Sequence, residues 1–209
     1  MSRAALRIAI LLAAPLAAQA QTHPAEEIGS WQLACALDRM TDRAACLLRH
    51  RDWVESPAAG DTGLALEVID RAGRLVPAVT ARNLTIEGAT RGLLALFGTA
   101  QLRFPPNRLF EMPCGLEGRS IVCAPRPEDA ARAEAELLPA GQALVRMVGT
   151  GAGSTAAEPV ELRLGGTRDA VARFARQAPR EPGAALDSPP APGFDARDIL
   201  QRLFRLFGN

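Results

Sequence analysis

The chain has no lysine and no tyrosine, and its 209 residues include only two histidines. Without lysine there is no amine to form a Schiff base, and without tyrosine no phenol to act as base or nucleophile. His23 lies in the N-terminal stretch, so His50 stands alone in the body of the chain. That leaves little material for a serine or cysteine triad. The stretch GTGAGSTAA fails G-x-S-x-G because Ala152 and Ala156 flank Gly153, Ser154 and Thr155, and it fails G-x-G-x-x-G because Ser154 stands at the third glycine. It reads as a hairpin loop. The pairs Glu128/Asp129 and Glu134/Glu136 fall on a helix expected to be solvated, which indicates no acid-base site. Neither a catalytic residue nor a cofactor is expected.

A strong charge of either sign is also missing, with Lys+Arg 24 against Asp+Glu 23. A nucleic-acid partner would call for a basic face, so none is expected. Long apolar runs are missing too. The run that starts at Ile8 extends for about a dozen residues before the leader ends and is broken by Pro15, whereas a membrane-spanning helix needs roughly 20. Arg3 and Arg7 precede it, and Ala18-Gln19-Ala20 follows. This is the pattern of a cleavable secretory signal over residues 1–20, with Gln21 as the mature N-terminus and a periplasmic or secreted destination. Residues 21–28 then read as a spacer, and enough chain remains for one domain.

What is present is four cysteines in an exported chain, by default a disulfide framework. No close C-x₂₋₄-C pair suggests zinc, and no C-x-x-C suggests a redox centre, so no metal is expected. In WQLACALDRMTDRAACLLRH, Trp31, Leu33, Cys35 and Leu37 alternate with smaller or polar residues, and Cys46, Leu48 and His50 repeat the alternation. An antiparallel hairpin with Cys35 opposite Cys46 sets Leu33 against Leu48 and Trp31 against His50. Independently, Cys114 opposite Cys123 sets Glu117 against Ser120 and leaves Gly118-Arg119 as a two-residue loop, with glycine where a type II′ turn needs it. Each bridge is worth about 2.5 to 3 kcal/mol in the loop-entropy model.

The segments GLALEVI, NLTIE, AQLRF, RLFEM, SIVCA, QALVRMV and PVELRL read as further short strands. Two helices interrupt them: PEDAARAEAELL, opened by Pro127, and TRDAVARFAR, with Thr167 as N-cap and Ala170, Val171 and Phe174 on one face. The expected fold is mainly β, an antiparallel β-sandwich with two short helices over residues 29–177. Residues 178–193 form a proline-rich linker with a reach of about 45 Å. Residues 194–209 then form an amphipathic tail helix. Its apolar arc comprises Ile199, Leu200, Leu203, Phe204, Leu206 and Phe207, and arginines occupy the polar side. A helix this short is marginal alone, so the arc should bury against its own domain, a partner groove or a membrane surface.

Taken in order, Gly29-Ser30-Trp31 through Cys35 and Cys46, the pair Cys114 and Cys123, and Pro159 through Gly166-Thr167 to Ala170 resemble the invasion-associated locus B family of exported bacterial proteins. The similarity runs from Gly29 to Arg176. The second cysteine pair is more widely spaced than the family's, Thr167 stands at the usual phenylalanine position, and the linker and tail are additions. The resemblance implies a secreted or periplasmic β-sandwich without established catalytic chemistry, associated in some members with host-cell entry or the envelope. The expected function is a non-enzymatic envelope protein that engages a protein or membrane partner through the tail. The alternative is a small-ligand or metal-binding periplasmic protein that uses the Trp31/His50 face.

Overall fold

A computed structural model describes residues 25–38, 40, 42–57, 63–84, 98–149 and 158–178. The expected signal peptide, the Ser154 loop, most of the NLTIE segment, nearly all of the linker and the whole tail lie outside the described residues.

The described chain is mainly β, with ten antiparallel strands in one ladder. In chain order they are β1 (Glu26–Ile28), β2 (Trp31–Asp38), β3 (Arg43–Glu55), β4 (Leu64–Arg71), β5 (Arg74–Ala81), β6 (Thr99–Arg103), β7 (Phe110–Glu117), β8 (Ser120–Cys123), β9 (Gln142–Val148) and β10 (Val160–Arg163). A 3₁₀ turn, Pro127–Asp129, leads into helix α1 (Ala130–Leu137), and helix α2 (Thr167–Gln177) follows β10. Residues 26–28, expected as spacer, are strand β1, paired to β2 with Ile28 opposite Trp31.

The ladder runs β1-β2-β3-β4-β5-β8-β7-β6-β9-β10. Its fold-over point is β7, which changes partner along its length. Phe110 to Pro113 pair with β6, and Cys114 to Glu117 pair with β8. Pro113 has no N–H to give a ladder, and the switch occurs next to it. The sheet therefore closes over a single core in which Trp31, Leu33, Leu48 and Leu66 from one half join Leu102, Phe104, Val145 and Leu162 from the other. Both hairpin registers have the cysteines opposed, Cys35 to Cys46 and Cys114 to Cys123. Gly118 has φ 59 and Arg119 is not among the residues of positive φ, as a type II′ turn requires.

Helix α1 packs on β5, burying Ala130, Ala133 and Leu137. It is not the freely solvated helix that its acidic residues suggest. The Glu134 carboxylate accepts from the Leu75 N–H at 3.2 Å and from Arg74 at 3.0 Å, so it caps the start of β5 rather than facing water alone. Glu136 keeps only 17% of its side chain exposed, beside Arg132.

Candidate functional site

The two ends of the ladder meet where the sequence places Trp31 and His50. Gly29 has φ 60, and a Cβ there would stand 2.2 Å from the Gly165 carbonyl oxygen, so only glycine fits. This close approach lets the Ser30 N–H donate to Gly165 O at 2.9 Å and the Gly165 N–H donate to Ser30 Oγ at 3.0 Å. Trp31, fully buried, donates its indole N–H to Thr167 Oγ1 at 3.1 Å. Thr167 is therefore no N-cap. The cap position belongs to Gly166, in the left-handed region at φ 71, and no side chain caps the helix. The threonine hydroxyl is instead the partner that a buried indole needs.

His50 lies edge-on to Trp31, with ring centroids 5.6 Å apart and planes at 83°. It too is fully buried. Nε2 is 3.0 Å from Arg163 O and must donate to it, while Nδ1 accepts from the Asp52 N–H at 3.1 Å. Both ring nitrogens are thus committed to backbone, Nε2 to the Arg163 carbonyl and Nδ1 to Asp52, whose N–H and carbonyl oxygen lie 3.1 and 3.2 Å away. The expected Trp31/His50 face corrects to an interior contact that fastens β3 to the end of β10. Neither ring offers a surface, and metal binding at His50 would cost a backbone hydrogen bond. Among the described residues, no group of three or more His, Cys, Asp or Glu is placed to hold a metal ion.

The cysteines sit in two disulfides, Cys35–Cys46 and Cys114–Cys123, with Cα atoms 4.0 and 3.9 Å apart. This is the close spacing of a non-hydrogen-bonded pair. Cys123 is fully buried, whereas Cys35 and Cys46 are half-buried near the tip of the first hairpin.

That tip is where helix α2 ends. Phe174 and Ala170 bury against the core, and Arg173 donates to Glu26 at 3.1 Å, pinning the helix to β1. The Gln177 amide then reaches the Cys35 sulfur, Oε1 to Sγ 3.0 Å. Beside it opens a mostly apolar groove of about 480 Å³, walled by Glu26, Cys35, Ala36, Leu37, Ala44 and Gln177. Leu37 at 54% and Met40 at 92% stand exposed at this end. The six tail residues expected to bind a partner, from Ile199 to Phe207, lie outside the described residues. The chain that carries them departs from Ala178, one residue beyond the groove wall.

A second cavity, of about 420 Å³, lies on the outer face of β2 to β5 and holds residues that the sequence reading passed over. Glu67 is buried at 1% exposure and takes Arg82 Nε at 3.0 Å and Nη2 at 2.6 Å. Trp53 carries the Arg49 guanidinium 4.2 Å above its ring. In sequence the visible signal was the lone acid of the otherwise apolar segment GLALEVI.

No protein-family model matches the chain, and no curated protein matches it. Among solved structures, the fold is similar to the crystal structure of invasion associated protein B from Bartonella henselae. That similarity has a TM-score of 0.47 and 13% identity, and it covers 74% of this chain and 96% of that one.

Proposed function

We propose that the chain is a non-enzymatic, disulfide-stabilised domain exported to the cell envelope, where its C-terminal segment engages a protein or membrane partner. One observation carries this reading. Helix α2, clamped by the Arg173–Glu26 pair and by Phe174, ends beside a groove and two exposed apolar residues, Leu37 and Met40. The amphipathic stretch 194–209 follows that helix in sequence, about fifteen residues beyond Ala178. On a helical wheel its six apolar residues would form an arc of the kind that helix-in-groove and interfacial binders use.

Export is supported by the leader and by the two disulfides, which persist in oxidising compartments. Absence of catalysis is supported by His50, whose two nitrogens hold backbone groups and leave no lone pair for a general base. The sequence resemblance to the invasion-associated locus B family points the same way.

Fractionation tests the reading. Full-length protein should remain with washed envelope after osmotic release of the periplasm, and a chain lacking residues 194–209 should appear in the released fraction. Equal partition of the two forms would remove the tail from the function.

A further inference from the structure

The geometry points to a second binding site: we propose that the cavity on the outer face of β2 to β5 takes a small organic carboxylate with a flat apolar body. The argument is independent of the tail.

Register builds the site. Gln32 lies opposite Arg49, Arg49 opposite Glu67, and Ala65 opposite Thr80, so four polar side chains from four adjacent strands share one face. All four line the cavity, with Trp53 and Arg82. The Glu67 carboxylate is neutralised by the two-pronged contact from Arg82. Among the described residues of the lining, Arg49 is then the charge without an ion-pair partner. Its Nη2 donates to Gln32 Oε1 at 2.9 Å, and its guanidinium lies against the Trp53 ring. Stacking and one hydrogen bond fix its plane, so the remaining N–H donors form a fork of set direction. A carboxylate matches such a fork in two parallel bonds.

Thr80 supplies the second, independent observation. Its side chain is 1% exposed, its hydroxyl has no hydrogen-bond partner, and it lines this cavity. Buried polar groups in folded proteins are nearly always paired, so an orphan hydroxyl on a residue of the cavity wall is a place where a ligand atom would supply the missing partner. A hydroxyl there can pair with a polar atom of a ligand seated beside it.

Charge and shape narrow the class. Among the described residues of the lining, two guanidiniums stand against one carboxylate, a single positive charge that suits a monoanion. A dianionic phosphate would also face Glu67. Ala34, Leu47, Ala65 and Pro57 complete apolar walls, and the Trp53 ring offers a stacking surface. The volume of about 420 Å³ falls within the range of small-molecule sites.

The test is titration of full-length protein with benzoate, followed by calorimetry and by Trp53 fluorescence, with benzamide as the uncharged isostere. Benzoate should bind saturably below about 10 mM, and benzamide at least about tenfold more weakly. Arg49→Gln should weaken benzoate by about tenfold or more, the value of a charge-assisted bond. Thr80→Val keeps the side-chain shape and fold, so its melting temperature should not fall while benzoate affinity drops about threefold or more. The exposed Arg126→Gln should leave binding unchanged. Absence of saturable benzoate binding, equal binding of benzamide, or unaltered affinity in Arg49→Gln each overturns the proposal. A Thr80 hydroxyl satisfied by solvent alone predicts no loss in Thr80→Val, and that result overturns it as well.

Discussion

The indole N–H of Trp31 is donated to the hydroxyl of Thr167 across 136 positions of sequence, at 3.1 Å. It joins the first long strand to the last described helix, and it explains why the Gly29-Ser30-Trp31 and Gly165-Gly166-Thr167 segments belong together. Replacing Thr167 with valine keeps the shape and strands a buried donor, which should cost about 1 to 3 kcal/mol. Thr167→Ser should retain most of the stability. Urea unfolding of the two variants checks this, and equal losses would show that the hydroxyl is not what matters.

Gly29 and Gly118 have nearly the same φ, 60 and 59, but different surroundings. An alanine Cβ at 29 collides with the Gly165 backbone, while at 118 nothing lies within 4 Å. Gly118→Ala should therefore cost only the left-handed strain, about 1 to 2 kcal/mol. Gly29→Ala adds loss of the Ser30–Gly165 clasp and should be clearly worse, or prevent folding. Thermal melts rank the two.

The disulfides close loops of similar length, with separations of 11 and 9 residues, so removing either pair should cost about 2.5 to 3 kcal/mol. Their accessibilities differ. Cys123 is fully buried, whereas both sulfurs of the first bridge belong to half-buried residues. Under mild reductant without denaturant, Cys35–Cys46 should open first. Alkylation and mass spectrometry read the order directly.

Glu67 is buried on one side of an ion pair whose other member, Arg82, is 41% exposed. Arg82→Met would leave a buried carboxylate alone and should cost about 3 kcal/mol, at the low end for a broken buried pair because water reaches the arginine. The double change Glu67→Gln with Arg82→Met should recover much of that loss. A double-mutant cycle in urea gives the coupling.

Local constraints were the legible part of this molecule. Two cysteines ten or so residues apart on alternating segments admit one sensible register, and Gly118 fixes the second hairpin, so both pairings could be read before any coordinates. Pro127 likewise marks where helical structure begins. The contacts that close the sheet were not legible, because nothing local distinguishes a threonine that caps a helix from one that receives an indole. Glu134 shows the same limit, since an acid on a polar-looking helix reads as solvated until β5 is seen to present a free N–H beside it. Glu67 and Thr80 lie on the face that alternation assigns to solvent. Their burial depends on how the chain covers that face, which no period-two pattern encodes.

Photocrosslinking in living cells from positions 203 and 207, within the apolar arc of the tail, tests the function most directly. Engagement of an envelope partner predicts crosslinks to another protein or to lipid, lost when the arc is made polar by Leu200→Ser and Phe204→Ser. Crosslinks confined to the chain's own hairpin end, at Leu37 and Met40, would contradict it.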